Sequence, residues 1–236
     1  MKSFILYCTA IFLTTMTFAQ GMVDPKPVEE NRYEGKEQDP YLFQDFAKAV
    51  ATKFKTGETE EYLLNYNGYT NAFEIMHDGK LCEMNATYFD VIEVAEYTPS
   101  KSYSDKFVSP SLKFVKGVNA SAPRKFSVVI VEDESATLYK DFAVKISTRE
   151  MNDPIRGVVE RESFSPSFHY YIKLGDETKP IGLGKQKVVN QLADDKVSSY
   201  MKKNKLKIKT EKELVQVVAY YAGLQGAAPL ASASSK

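Results

Sequence analysis

The sequence predicts an α+β protein in which an antiparallel β-sheet, a meander or partial barrel, is followed by C-terminal helices packed on it. Short alternations of apolar and polar residues, separated by turn dipeptides, fill residues 41–185. From Lys185 onward the apolar spacing changes from two residues to about 3.6, which is typical of helices. Strands first and helices last favour the α+β class over alternating α/β folds.

The composition is that of an ordinary globular protein. The chain has 236 residues, of which 43% are hydrophobic, and 31 Lys and Arg balance 31 Asp and Glu. This mixture is too apolar and too evenly charged for a mostly disordered chain. The zero net charge also gives no basic field for nucleic acid, so we expect no nucleic-acid partner.

The first nineteen residues have the pattern of a secretory signal peptide. Lys2 is the positive start, Phe4–Phe18 is an uncharged apolar stretch, and small residues precede a predicted cleavage site between Ala19 and Gln20. The apolar stretch is shorter than the roughly 20 residues that span a bilayer. A buried element of the folded domain is the alternative. The pattern predicts export to the periplasm, the outer membrane or the exterior, with no transmembrane helix in the mature chain.

Two terminal segments are predicted to lie outside the folded body. Residues 20–40 are rich in proline and charge, which is typical of a flexible linker. Residues 226–236 are a low-complexity run of small residues, which predicts a disordered tail.

The first β region, a meander over residues 41–97, contains one ambiguity and one strong turn signal. The segment Tyr41–Phe54 fits both helical and strand spacing, and the hairpins after it favour a strand from about Ala49. Asn67 and Gly68 form a dipeptide that tolerates positive φ, so they predict a tight hairpin.

A loop and a second β unit are predicted next. Residues 98–123 contain three prolines and many serines, which indicates a long surface connection with a short strand at Leu112–Val115. A second β unit then spans residues 124–185. Within it, the polar segment Ser147–Ser167 is predicted to be an exposed insertion.

The C-terminal helices are predicted over residues 186–225. Thr210 followed three residues later by Glu213 is a capping box, in which each side chain satisfies an amide at the start of the last helix. Gly223 or Gly226 is predicted to end that helix.

The closing segment carries a family resemblance. The runs Ser199–Leu206, Glu213–Val215 and Tyr220–Tyr221 read S-Y-M-K-K-N-K-L, E-L-V and Y-Y. In these runs and in its order of elements the chain resembles a family of uncharacterised exported bacterial proteins with a β-rich body and a C-terminal helical segment. The resemblance implies export and this domain type, with residues 148–166 as an insertion, and it implies no functional residues.

Searches for catalytic motifs fail. His77 and His169 lack the spacing of a metal site, and Cys82, the single cysteine after the predicted cleavage site, is expected to be a buried structural thiol. Gly182–Lys185 lacks the other glycine and the hydroxyl residue of a phosphate-binding loop. The sequence therefore assigns no catalytic residue, metal or cofactor and favours a protein that is not an enzyme.

A lysine-rich stretch is the one candidate contact surface. Five of its lysines are candidates for contact with an anionic surface or an envelope protein: Lys202, Lys203, Lys205, Lys207 and Lys209. Lysines that merely keep an exposed edge soluble and unpaired are the alternative interpretation.

These observations favour a non-enzymatic binding or structural role in the bacterial envelope or outside the cell. The first alternative is a small-ligand carrier whose β-barrel encloses an open apolar cavity. The second is an envelope hydrolase, which requires convergent acidic residues in one cleft.

Overall fold

The computed structural model describes residues 25–29, 31–104, 106–107 and 109–223, without the side chain of Asp153. It confirms the α+β class, with one antiparallel sheet of eleven strands followed by three helices, and the sheet does not close into a barrel. The strands are β1 Lys26–Pro27, β2 Ala47–Lys53, β3 Thr59–Asn67, β4 Ala72–His77, β5 Lys80–Glu83, β6 Phe89–Val94, β7 Leu112–Lys116, β8 Phe126–Val131, β9 Thr137–Asp153, β10 Gly157–Leu174 and β11 Glu177–Ile181. The helices are α1 Lys185–Leu192, α2 Asp195–Lys203 and α3 Glu211–Tyr221.

The sheet is built mainly from hairpins between consecutive strands. The strand order is β1-β5-β4-β3-β2-β6-β7-β8-β9-β10-β11. Strand β2 pairs with β3 on one side and with β6 on the other, so it joins the two runs of hairpins.

Strand β2 resolves the ambiguity at its position in favour of the strand. Ala47, Ala49 and Ala51 face the interior, whereas Val50 and Phe54 are exposed. Helical spacing of the larger apolar residues was therefore coincidental, because the small alanines form the buried face.

The predicted strand within residues 98–123 is confirmed as β7, which lies between β6 and β8 near the middle of the sheet. The connection before it is not confined to the surface. Tyr103 and Phe107 are buried in the core, and the Tyr103 hydroxyl donates a 2.6 Å hydrogen bond to the carbonyl of Asp39.

The described part of the predicted linker packs on the sheet. Arg32 forms an ion pair with the buried Glu74, and the ring of Tyr33 lies 5.2 Å from that of Phe164. The amide of Glu37 donates to the carbonyl of Glu162 in β10. A segment rich in prolines and charged residues can thus be ordered by contacts with distant residues, which its own composition does not predict.

The interior divides into two hydrophobic clusters. The sheet cluster lies against strands β2–β10 and is dominated by aromatic side chains, namely Phe43, Tyr66, Phe73, Phe89, Tyr103, Phe107, Phe114, Phe126, Phe142 and Phe164. The helical cluster packs the helices on the ends of β8–β11 and includes Leu138, Ile172, Val188, Met201, Leu214 and Val218.

Helix α3 begins as the sequence predicts. The Thr210 hydroxyl accepts a hydrogen bond from the Glu213 amide, and the Glu213 carboxylate accepts one from the Thr210 amide. The same carboxylate accepts from the amides of Lys207 and Lys209, and these bonds lower the pKa of Glu213. Glycine 223, with φ of 77°, follows the end of the helix.

Replacing Thr210 with alanine is expected to destabilise the protein by about 1 kcal/mol, because the Glu213 amide loses its cap. Urea unfolding followed by circular dichroism measures the change. Thr178→Ala, at an exposed position of β11, is the control. Equal unfolding midpoints for the two variants would show that the cap contributes nothing.

Candidate functional site

Lys140 is a charged residue on the buried face of β9, where the two hydrophobic clusters meet. On the same face of the strand, Leu138 belongs to the helical cluster and Phe142 to the sheet cluster. The side chain of Lys140 is only 1% exposed. Lysine is almost never buried to this extent without a partner, so its contacts decide what this position can do.

Among the residues that the structure describes, four groups lie close to the ammonium group of Lys140. Its Nζ lies 2.7 Å from Oε2 of Glu211, the first residue of α3, and donates to the carbonyl of Lys106. It lies 3.9 Å from the ring centre of Phe107 and 4.9 Å from that of Phe168. The electron-rich faces of the rings attract the cation. A carboxylate, a carbonyl and two rings thus compensate for the burial of the charge.

Glu211 also interacts with two tyrosines, Tyr170 and Tyr97. The Tyr170 hydroxyl donates a 2.8 Å hydrogen bond to Oε2 of Glu211. Burial, followed by the negative charge of Glu211, raises the pKa of Tyr170 far above its usual value, so the tyrosine stays a donor. The same two causes raise the pKa of Tyr97. The buried hydroxyl of Tyr97 has no hydrogen-bond partner among the described residues.

A pocket of about 150 Å³ opens beside Lys140 and Glu211, between Phe107, Ser109 and Ser111 and strands β7 and β8. Pockets for small organic ligands typically hold about 300 Å³ or more. The ammonium group already has Glu211 and the Lys106 carbonyl as partners. This arrangement fastens α3 to the sheet.

The motif searches missed this ion pair, although β9 carries a signal of it. Leu138, Lys140, Phe142 and Val144 follow one another at every second residue, so a lysine occupies an apolar position of the pattern. Its partner, Glu211, lies in another element far along the chain. Only the tertiary structure identifies it.

A second buried carboxylate fixes the N-terminal segment. Glu74 in β4 is paired with Arg32, and it accepts hydrogen bonds from the Tyr41 hydroxyl at 2.8 Å and from Nδ2 of Asn67 at 2.7 Å. Burial, together with the neighbouring Glu74, raises the pKa of Tyr41 well above its ordinary value. These contacts hold the N-terminal segment against β4.

A wider depression of about 500 Å³ lies near the β2–β3 hairpin. Tyr62, Tyr88 and Phe89 contribute to its wall. Of its charged groups, Nζ of Lys53 lies 2.7 Å from Glu60 and 3.3 Å from Glu58, and Glu61 also lines the wall.

The most distinctive surface is a β-ribbon that we call the arm, residues 147–163. It consists of the distal parts of β9 and β10, which pair with each other in an unbroken register. The neighbouring strands β8 and β11 pair only with residues nearer the helices. The predicted exposed insertion is thus a regular hairpin. Backbone hydrogen bonds between β9 and β10 form this hairpin, and polar side chains do not prevent them.

The arm exposes large apolar side chains at its end. Ile155 is 94% exposed, Val158 64% and Met151 45%. The outer edge of β9 also carries available backbone groups. The Val144 amide points away from β10 and donates to the Gly68 carbonyl. Because every second residue of a strand directs its backbone groups to the same side, the amides and carbonyls of alternate residues from Ile146 to Asn152 also point away from β10. Such an edge and tip are typical of a contact surface.

The five candidate lysines are exposed and lie close together in sequence but not on a strand. Lys202 and Lys203 end α2, and Lys205, Lys207 and Lys209 lie in the α2–α3 connection. Lys205, Lys207 and Lys209 alternate with Leu206 and Ile208 in the sequence, and Ile208 is buried while Lys207 and Lys209 are exposed. Lys205 and Ile208 have φ near 54° and 53°, so the connection is irregular.

The remaining sequence candidates give no site. Ala19 and Gln20 lie outside the described residues. Cys82 is buried in the sheet cluster, as predicted. Within the described ranges, His, Cys, Asp and Glu side chains form no group of three that could hold a metal ion. Among α1, α2 and α3, the helices of the described chain, none has the length and apolarity required to cross a membrane.

Comparison with known proteins adds no relative. No protein-family model, curated protein sequence or solved structure matches the chain.

Proposed function

We propose that the protein is exported and has a non-enzymatic binding or structural role in the bacterial envelope or outside the cell, with the arm as its contact element. The observation that carries this proposal is the ribbon itself, which exposes Ile155, Val158 and Met151 beyond the rest of the sheet. An isolated two-stranded hairpin is at best marginally stable in water. A partner that covers the arm removes both its apolar exposure and its open edge.

The interior of the sheet supports this role over that of a ligand carrier. Rings of Tyr66, Phe73, Phe114 and Phe142 occupy the space that a carrier would leave for its ligand, and their centres lie 4.9–6.2 Å apart in successive contacts. Beside the smaller pocket Lys140 is paired with Glu211 and Lys113 with Glu132, and beside the wider depression Lys53 is paired with Glu58 and Glu60. These observations favour contact through the surface.

The experiment places a photo-crosslinking amino acid at Ile155 and expresses the variant in the bacterium that makes the protein. Irradiation is expected to give one discrete adduct, which mass spectrometry identifies. N-terminal sequencing of the same material is expected to begin at Gln20, which tests export separately.

The control carries the same crosslinker at Lys173, an exposed position of β10 far from the arm. We expect no adduct, or a different one, from that site. If both positions give the same products, or if Ile155 gives none, the arm is not the contact element.

A further inference from the structure

The charges of the arm are sorted by face. In an antiparallel pair, residues directly opposite each other lie on the same face of the sheet. Arg149 lies opposite Arg161, and Glu150 lies opposite Glu160. Since consecutive residues point to opposite faces, one face is basic and the other is acidic. Like charges directly opposite each other destabilise a ribbon, so these two pairs do not stabilise the arm itself.

The N-terminal segment compensates only the base of the arm. Arg161 lies 2.7 Å from Glu37, and Lys36 forms an ion pair with Glu162. In the part of the chain that the structure describes, no ion pair involves Arg149, Glu150 or Glu160. Each face therefore keeps exposed charge. Arg149 remains on the basic face at the level of Arg161, and Glu150 and Glu160 remain on the acidic face one residue further out.

We propose that the partner of the arm is the arm of a second copy of this chain, with the basic face of one copy lying on the acidic face of the other. This inference rests on the proposed function, because it assigns an occupant to the same contact element. The charge pattern carries it, since the exposed Arg149 of one copy faces the Glu150 and Glu160 pair of the other in the stack.

The spacing of the residues fits such a stack. Sheets pack about 10 Å apart, and consecutive residues of a strand are about 3.3 Å apart. The Arg149 pair and the Glu150 pair are thus at almost the same height along the ribbon. With the two arms antiparallel, these layers superpose and the two bodies stay at opposite ends. Next to the basic layer lies Met151, and next to the acidic layer lies Val158, which adds apolar contact on each face.

The two contacting faces are different, which determines how the assembly grows. A pair of copies leaves one basic and one acidic face open, so further copies can add head to tail. We expect species larger than a dimer at high protein concentration.

The experiment measures mass by analytical ultracentrifugation from about 5 to about 500 μM protein, in about 20 mM and about 500 mM salt. We expect the average mass of the wild-type mature chain to rise with concentration in low salt, and this association to weaken in high salt. Arg149→Glu places a carboxylate opposite Arg161, which Glu37 already pairs, so the formerly basic face no longer attracts the acidic face. The double variant Glu150→Arg with Glu160→Arg makes the formerly acidic face basic. Each alone is expected to remain monomeric, and a mixture of the two is expected to associate again.

The control is Lys202→Glu, which changes the net charge as Arg149→Glu does but lies on α2. It is expected to associate as the wild type does. Thermal unfolding midpoints close to that of the wild type show that the variants are folded. A wild type that is monomeric throughout, or a mixture that does not associate, overturns the inference. If the Ile155 crosslinker captures a different protein while the wild type stays monomeric, the second copy is wrong and the proposed function stands.

Discussion

Replacing Lys140 with methionine is expected to lower the free energy of unfolding by about 3–5 kcal/mol, because Glu211 then keeps a half-buried charge without its partner. The Lys106 carbonyl loses its donor at the same time. For a chain of this size the unfolding midpoint should fall by roughly 6–20 °C. Differential scanning calorimetry measures both quantities.

Two further variants separate the ion pair from general effects of the substitution. Lys145→Met, at an exposed position of the same strand, is expected to stay within about 0.5 kcal/mol of the wild type. Lys140→Met combined with Glu211→Gln is expected to be more stable than Lys140→Met alone, because no unpaired carboxylate remains. If Lys140→Met and Lys145→Met have the same free energy of unfolding, the ion pair does not fasten α3 to the sheet.

The second large effect is expected at Gly68, in the turn between β3 and β4. A Cβ at this position would lie 2.4 Å from Cε1 of Phe142 and 2.7 Å from Cγ2 of Val144. Both neighbours are buried, and the Val144 amide donates to the Gly68 carbonyl at 2.9 Å, which holds the strands together. Gly68→Ala is therefore expected to destabilise the protein by about 1–3 kcal/mol, as overpacking does. Chemical denaturation measures the loss.

Gly182→Ala is the matched control for this prediction. The nearest atom to its Cβ would be Cδ of Lys187 at 2.8 Å, which belongs to a flexible, exposed side chain that can move away. We expect a cost well below that of Gly68→Ala. Equal costs would mean that the contact with β9 is not closely packed.

Gly68 also shows where local sequence reasoning stops. The Asn67-Gly68 dipeptide correctly predicts a turn between two strands, but its assumed reason, a positive φ at both residues, is wrong. The positive φ of this turn occurs at Asn71, at 55°, and the glycine is needed because β9 approaches it closely. A dipeptide contains information on its own backbone and none on a strand that arrives more than seventy residues later.

Other elements follow the same division. The capping box at Thr210 lies within four residues, so the sequence predicts it to the residue. The arm was predicted only as an exposed insertion, because a ribbon with two solvent-facing sides has no apolar alternation to recognise. The ion pair between Lys140 and Glu211 joins a strand to a helix far along the chain, so no local sequence pattern predicts it.

Strands β9 and β10 pass without a break from the helical cluster, through the sheet cluster, into the arm. A pull on the hairpin end is directed along these strands, so the ladders to β8 and β11 resist it in shear rather than being peeled apart one bond at a time. Extraction of the ribbon then requires both clusters to open together. Under mechanical load, the lifetime of an anchored molecule would be set by its rate of unfolding rather than by its equilibrium stability.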